Sequence, residues 1–242
     1  MEKDQFLSLI KKRLIVSCQA LEDEPLHGAS YMAKMAAAAI EGGAVAIRAN
    51  SATDIEAIKQ YNKIPVIGLV KRNYSDSDVY ITPTKKEIDE LLEVGTDVIA
   101  LDATKRKRPN NEDLKDLFDY IHSNDTLILA DVSNFEEGIT AFDLGADMVS
   151  TTLSGYTDYT QYDLEGPDMT LVEELAKYTE QPIIAEGRVN TPEEAKITLE
   201  KGAYAVIVGS AITRPQLITK RFVDALIKKD DLDENAVSRK YL

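Results

Sequence analysis

Short runs of apolar residues, many of them β-branched, alternate along the chain with longer stretches of helical character. Within each run the apolar positions are nearly continuous and do not alternate with polar ones. Continuous runs are typical of parallel strands that are buried on both faces. Eight runs predict eight strands, at residues 14–18, 45–48, 65–69, 98–102, 126–131, 148–152, 183–186 and 205–208.

The stretches between these strands carry helix start signals. A Ser or Thr followed three residues later by Glu predicts a capping box. In a capping box the hydroxyl accepts a first-turn N–H, and the glutamate reaches back to the N–H of the capping residue. The pattern occurs at Thr53/Glu56, Thr84/Glu87, Ser133/Glu136 and Thr191/Glu194.

Helix stop signals recur at a regular interval. Glycine takes the left-handed conformation at a helix end at little cost. Such glycines come shortly before every second predicted strand, at Gly42 with Gly43, Gly95, Gly145 and Gly202. Their spacing of about 50 residues corresponds to two strand–helix units, so four pairs make eight units. A doubly wound open sheet would also alternate, but eight parallel strands in 242 residues fit a closed barrel better.

We therefore expect an α/β fold, a (β/α)₈ TIM barrel that forms a single domain over residues 1–242. Residues 1–13 predict a short amphipathic helix that covers one end, and residues 228–242 form a charged tail. Two longer connections, 71–84 and 153–168, follow strands and belong on the C-terminal face, where barrels carry their chemistry. The first of them contains a possible small hairpin strand at 79–81.

Composition and charge narrow the class of protein. Apolar residues make up 44% of the chain and charged residues 29%, as in globular proteins. The apolar runs are too short for membrane spans, and a net charge of −14 disfavours nucleic acid as a partner. We interpret the basic cluster at 105–108 as a solvated loop. The one cysteine, Cys18, allows no intrachain disulfide, is expected to be an inert buried thiol, and suits a cytoplasmic location.

Polar residues at the ends of the predicted strands converge on the mouth of such a barrel. They are Gln19, Arg48, Lys71, Asp102, Asp131, Thr152, Ser154, Glu186, Gly209 and Ser210. The loops after the last two strands commonly bind phosphate in barrels. Gly187 and Gly209 lie in these loops, where glycine lets backbone N–H groups approach an anion. Ser210 and Arg214 would add a hydroxyl and a positive charge.

Lys71 and Glu186 are candidates for proton transfer. A lysine acts as a base only when neutral, and its ordinary pKa of about 10.4 falls on burial or beside a cation such as Arg48. Lys71 could also simply bind an anion or face solvent. Glu186 follows an apolar run, where a carboxylate needs a partner or a role, and a structural salt bridge is the alternative. Asp131 either binds substrate or orients other side chains.

Metal chemistry is not predicted. The two histidines are His27, in the first loop, and His122, late in a predicted helix away from the mouth. The paired histidines and aspartates of a metal-dependent sugar-phosphate epimerase are not found at the strand ends. No phosphate-binding loop of the Walker type and no dinucleotide fingerprint is present. We expect no metal and no organic cofactor.

Seven segments together resemble the N-acetylmannosamine-6-phosphate 2-epimerase family of bacterial sialic acid catabolism. The resemblance runs in order over nearly the whole chain, through LIVSCQALEDEPL (14–26), VAIRAN (45–50), PVIGLVKR (65–72), ILADVS (128–133), TTLSGYT (151–157), AEGRV (185–189) and VGSAITRP (208–215). It implies inversion at C2 of an N-acetylhexosamine 6-phosphate without a cofactor, in a cytoplasmic homodimer.

The resemblance also implies roles for individual residues. Lys71 would be the catalytic acid/base and Glu186 its catalytic partner. Gln19, Arg48 and Asp131 would contact the sugar and its N-acetyl group. The phosphate cradle would consist of Gly187, Gly209, Ser210 and Arg214, with Arg188 as a further member.

Three other functions stay open at this point. An aldolase would use Lys71 as the nucleophile that forms a Schiff base. A regulatory barrel that binds sugar phosphates would keep the glycines and Ser210 but could dispense with Lys71 and Glu186. A different phosphate-binding isomerase would share the cradle, but Gln19, Arg48 and Lys71 in their motifs argue against it.

Overall fold

The strands form a closed parallel barrel, as predicted. In the computed structural model, which describes residues 1–161 and 165–226, each strand pairs with the next and β1 pairs with β8. The strands are β1 (Leu14–Cys18), β2 (Ala46–Asn50), β3 (Val66–Leu69), β4 (Val98–Asp102), β5 (Leu127–Asp131), β6 (Met148–Ser150), β7 (Ile183–Ala185) and β8 (Ala205–Val208). The apolar runs thus locate every strand to within two residues.

Helices connect consecutive strands and enclose the barrel. They are α1 (Lys3–Ile10), α2 (Ala29–Glu41), α3 (Ala52–Tyr61), α4 (Lys85–Glu93), α5 (Leu114–His122), α6 (Phe135–Leu144), α7 (Met169–Tyr178), α8 (Pro192–Glu200), α9 (Ser210–Thr213) and α10 (Pro215–Leu226). Within the described residues, no helix is long and apolar enough to cross a membrane.

The N-terminal helix closes the bottom of the barrel, which confirms the prediction for residues 1–13. Phe6 and Ile10 are fully buried and belong to the same apolar cluster as the barrel interior. Lys3 pairs with Asp147 at 2.8 Å, and Asp147 immediately precedes β6. Helix α1 therefore lies at the amino ends of the strands, and the opposite mouth is left open for chemistry.

Two of the four predicted capping boxes are confirmed, at Thr84/Glu87 and Thr191/Glu194. The other two are wrong. Ser51 caps α3 by accepting from the Asp54 N–H, so Thr53 lies inside the helix. Asn134 caps α6, and Glu137 binds the N–H and hydroxyl of Ser133. In each case another capping residue lies within two positions of the predicted one, and the local sequence pattern did not distinguish between them.

The basic cluster is not a solvated loop throughout, so that interpretation is wrong for two of its members. Arg108 is 4% exposed and donates to the carbonyl oxygens of Thr82, Pro83 and Asp102. Arg106 pairs with the Asp102 carboxylate. These bonds attach the segment after β4 to the segment before α4.

The predicted hairpin at 79–81 is present as short antiparallel pairing. Lys71 forms a bridge with Ile81, and the Arg72 N–H donates to the Tyr80 carbonyl at 2.9 Å. The charged tail at 228–242 lies outside the described residues.

Two glycines that follow helices share a backbone conformation but differ in how closely other atoms pack against them. Gly43 and Gly202 have φ of +101° and +112°. A Cβ at Gly43 would meet no atom within 4 Å, but one at Gly202 would lie 2.5 Å from the Ala176 Cβ of α7. Gly43→Ala should cost about 1–2 kcal/mol of unfolding free energy through its backbone conformation. Gly202→Ala should cost about 1–3 kcal/mol more through overpacking. Urea denaturation measures both, and equal losses would contradict the packing argument.

Candidate active site

Side-chain alternation along the strands builds one pocket at the open mouth. In a strand, residues two apart point to the same face. Ile15 and Ile67 belong to the cluster in the barrel interior, and so do Ala46, Ile184 and Ile207. Continuing each of these inward-facing rows by steps of two leads to the pocket residues Ser17 and Gln19, Arg48, Leu69 and Lys71, Glu186, and Gly209.

The structure brings almost all the predicted site residues to this pocket. Its lining includes Gln19, Arg48, Lys71, Glu186, Gly187, Arg188, Gly209, Ser210 and Arg214. Asp131 is the exception, because its carboxylate is fully buried behind Arg48. Of the other strand-end residues, Thr152 lines the pocket, whereas the Asp102 carboxylate binds Thr104 and Arg106.

A buried ion-pair network forms the floor of the pocket. The Arg48 side chain is 1% exposed. Its Nη1 donates to Asp131 Oδ1 at 2.9 Å and to Glu186 Oε2 at 2.7 Å, and its Nη2 donates to Asp131 Oδ2 at 2.5 Å. The Thr152 hydroxyl lies within 2.9 Å of both carboxylates. Because buried charges are tolerated only when they are paired, these residues hold one another in fixed positions.

Burial and charge shift the proton affinities in this network. Burial alone lowers the pKa of Arg48, but attraction to Asp131 and Glu186 raises it above its ordinary value. The pKa of Glu186 is raised, chiefly by burial and further by the negative charge of Asp131, although Arg48 and Thr152 oppose the shift. Glu186 therefore holds a proton more readily than an exposed glutamate does.

Lys71 lies across the mouth from Glu186, because β3 and β7 are four strands apart in a closed barrel of eight. Burial lowers the pKa of Lys71 to about 8, and the positive charges of Arg48 and Arg214 add to this effect. Within the described residues, its ammonium makes no hydrogen bond. Roughly a tenth of Lys71 is then neutral at pH 7.

The backbone around Lys71 is held firmly. The Lys71 N–H donates to Asn50 Oδ1 at 2.8 Å, and the preceding Val70 N–H donates to the Thr82 hydroxyl at 3.2 Å. Thr82 is in turn bound to Arg108 through its carbonyl. The buried arginine of the basic cluster therefore supports the segment that carries the lysine.

The opposite end of the pocket has the chemistry of an anion site. Gly187 has φ of +101°, and Gly209 packs against Ser17, so both bring the backbone close to the pocket. Ser210 and the residues after it form the first turn of α9, whose leading N–H groups have no partner within the helix. Arg214 follows α9 and adds a guanidinium to the same wall.

Arg188 lines the pocket and also binds neighbouring backbone carbonyls, a structural role that the sequence did not indicate. Its Nε donates to the Gly166 carbonyl at 3.0 Å, and its Nη1 donates to the Ser154 carbonyl at 2.9 Å. Its guanidinium also lies 5.1 Å from the centre of the Tyr156 ring. Arg188 therefore attaches the connection between β6 and α7 to the end of β7.

Three polar residues of the pocket lining were not among the predicted candidates. Ser17 accepts from Gln19 Nε2 at 2.9 Å, and its position two residues before Gln19 could have revealed it. Tyr80 comes from the hairpin and Tyr156 from the long connection after β6. No strand pattern marks these two residues, since both reach the mouth only through loop conformation.

Two buried polar atoms in the pocket have no hydrogen-bond partner among the described residues. They are Gln19 Oε1, an acceptor, and Arg48 Nε, a donor. Buried polar groups are normally paired, so both atoms are suited to bind a polar ligand. Among the described residues, no three His, Cys, Asp or Glu side chains are grouped so that they could hold a metal ion.

Comparisons with known proteins agree with this geometry. The family described as "NanE: Putative N-acetylmannosamine-6-phosphate epimerase" matches residues 32–228. A protein of Clostridioides difficile (strain 630), named "Putative N-acetylmannosamine-6-phosphate 2-epimerase", is 61% identical over 220 residues, which cover 91% of this chain and 98% of that protein. A protein of the same name from Listeria monocytogenes serotype 4b is 50% identical over 222 residues, or 90% of this chain and 96% of that protein.

A solved structure shows the same fold throughout. It is the N-acetylmannosamine-6-phosphate 2-epimerase from Clostridium perfringens, which is 58% identical, covers 91% of this chain and 96% of its own, and has a TM-score of 0.89. The resemblance drawn from the seven segments is thereby confirmed. The chain belongs to the NanE family of N-acetylmannosamine-6-phosphate epimerases.

Proposed function

We propose that this protein interconverts N-acetylmannosamine 6-phosphate and N-acetylglucosamine 6-phosphate by moving a proton at C2. The observation that carries the proposal is the pairing of Lys71 and Glu186 across one pocket. The pKa of Lys71 is lowered to about 8, and burial raises that of Glu186, so each pKa is shifted toward the neutral range from its ordinary value. The pocket ends in an anion site, which suits the 6-phosphate.

The reaction itself needs these groups. The C2 proton is acidic only when the sugar ring is open and C1 is a carbonyl. Its removal forms an enolate, and return of a proton to the opposite face inverts the centre. An enzyme must therefore supply a base, a proton donor and stabilisation of the developing oxyanion.

The residues of the pocket can fill each of these roles. The neutral amine of Lys71 is the acid/base at C2, and Glu186 is its catalytic partner. Arg48 stabilises the oxyanion through its Nε–H, which has no partner among the described residues, while Asp131 holds both Nη atoms. Gln19 binds the sugar and its N-acetyl group through the free Oε1.

The anion end supplies binding energy away from the reacting carbon. Gly187, Gly209, Ser210 and Arg214 hold the 6-phosphate, and Arg188 borders it. Binding of the 6-phosphate, which is distant from the reacting carbon, positions C2 between the catalytic side chains and increases the rate as well as the affinity. Since protein side chains supply the base, the donor and the charge, the proposed reaction uses no metal and no organic cofactor.

We also propose a homodimer that acts in the cytoplasm. Helix α10 supports the dimer, because several of its apolar side chains are exposed in the described part of the chain. Leu217 is 45% exposed and Phe222 is 70% exposed. Large exposed apolar side chains such as these are typical of interaction sites. That residues 1–242 form a single domain stays a prediction.

Turnover in deuterated water tests the proposed proton transfer at C2. In D₂O with EDTA, proton NMR of N-acetylmannosamine 6-phosphate should show the gluco epimer appearing with deuterium at C2. Lys71→Ala and Glu186→Ala should each lower the rate by about 10²–10⁴-fold, since each removes a proton-transfer group.

Lys115→Ala is the matched control, because Lys115 pairs with Asp119 on the surface of α5. It should turn over at the wild-type rate, and circular dichroism should show all three variants folded. Near-wild-type activity of either catalytic variant would remove that residue from the mechanism. A borohydride-trapped adduct on Lys71 would instead indicate Schiff-base chemistry.

The pH dependence follows from the state of Lys71. Because the neutral amine is the active form and the pKa is about 8, kcat/KM should rise as the pH increases from 6.5 and level off above about 8. Initial rates across that range measure it. A profile that falls between pH 6.5 and 8 would show that the protonated lysine is the active form.

Oligomeric state is tested by light scattering coupled to size exclusion. The wild type should elute with twice the mass of one chain. The double variant Leu217→Glu and Phe222→Glu should elute as a monomer, because it places two charges among the exposed apolar side chains of α10. A monomeric wild type at micromolar concentration would refute the dimer.

A further inference from the structure

The guanidinium of Arg214 is held along one edge by a carboxylate that no part of the proposed reaction uses. Arg214 Nε pairs with Glu24 Oε1, and Arg214 Nη2 donates to Glu24 Oε2 at 2.9 Å. The two side chains are 24% and 16% exposed. Paired parallel bonds of this kind fix the plane of a guanidinium as well as its position.

Glu24 is itself held by other segments. Its Oε2 accepts from the Leu21 N–H at 2.8 Å, and its Oε1 accepts from Gln216 Nε2 at 3.3 Å. Leu21 lies in the connection between β1 and α2, and Gln216 lies in the first turn of α10. Donors from two distant parts of the chain therefore fix the carboxylate in place before any ligand arrives.

Glu24 occupies only one edge of the Arg214 guanidinium. Arginine carries five N–H donors, and Glu24 takes those on the Nε and Nη2 side. The Nη1 donors remain. Arg214 lines the pocket, whereas Glu24 does not. The carboxylate thus lies outside the pocket lining and leaves the Nη1 donors for an anion in the pocket.

We propose that Glu24 is a positioning residue that holds Arg214 in the orientation required to bind the substrate's phosphate. This rests on the proposed function, in which Arg214 contacts the 6-phosphate. A free arginine side chain samples many rotamers, and the cost of ordering it would reduce the affinity for phosphate. Glu24 removes that cost, although its negative charge also weakens the attraction between the arginine and an anion.

Variants at Glu24 decide between these two effects. Glu24→Ala should weaken binding of inorganic phosphate by about tenfold in isothermal titration calorimetry, and it should raise KM by a similar factor with kcat changed less than about threefold. Glu24→Gln keeps the shape and one acceptor, and should shift both quantities in the same direction by less. Tighter phosphate binding in either variant would show that Glu24 competes with the ligand, and would overturn the proposal.

Glu173→Gln is the control for the lost charge. Glu173 pairs with Lys177 and Lys201 on the surface, away from the pocket, so its variant should bind phosphate as the wild type does. An equal weakening in Glu173→Gln would assign the effect to net charge and overturn the proposal.

A double-mutant cycle separates positioning from a general structural role. Arg214→Ala should weaken phosphate binding strongly, and adding Glu24→Ala to it should weaken binding no further, because Glu24 acts through Arg214. Additive losses would mean that Glu24 supports the loop in some other way.

The calorimetry needs no turnover, so it is independent of whether the wild type forms the epimer. Failure of the wild type to epimerise would refute the proposed function. Failure of Glu24→Ala to weaken phosphate binding would refute only the role of Glu24.

Discussion

The arrangement of the mouth depends on one buried guanidinium. Arg48 is 1% exposed and bonded to carboxylates from two other strands, Asp131 on β5 and Glu186 at the end of β7. A charge at this depth is stable only with partners in place, so the three strands must close correctly before the network can form. The same network sets the chemistry. Arg48 helps to lower the pKa of Lys71, whereas burial raises the pKa of Glu186 against the opposing charge of Arg48.

Barrel closure converts these local contacts into a site. Because β1 pairs with β8, the segment after β8, which we propose binds the phosphate, lies beside Ser17 and Gln19 of the first unit. Helix α1 fills the opposite end with Phe6 and Ile10. One end of the barrel is thus packed for stability, and the other end is free to hold polar groups around an open pocket.

Three arginines near the mouth of the barrel have different roles, which depend on the groups they contact. Arg108 binds carbonyl oxygens and supports the segment that carries Lys71, and Arg188 attaches a long connection to β7. Arg214 differs from these two, because it pairs with Glu24 and also lines the pocket. A fixed, planar set of five donors allows a single side chain to anchor a loop and bind an anion together.

The sequence by itself determined the barrel, its strands to within two residues, and most of the polar residues at the mouth. Continuous apolar runs, glycines at helix ends and strand-end positions are local patterns, and the two-residue period of a strand shows to which face each side chain points.

Only the tertiary structure decided which polar residues face the pocket and which lie behind others. Asp131 lies behind Arg48, Glu24 pairs with Arg214 outside the pocket lining, and Tyr80 reaches the mouth through a hairpin. These relations join residues that are tens to nearly two hundred positions apart, so they arise from closure of the barrel and from loop conformation, which no short window of sequence contains.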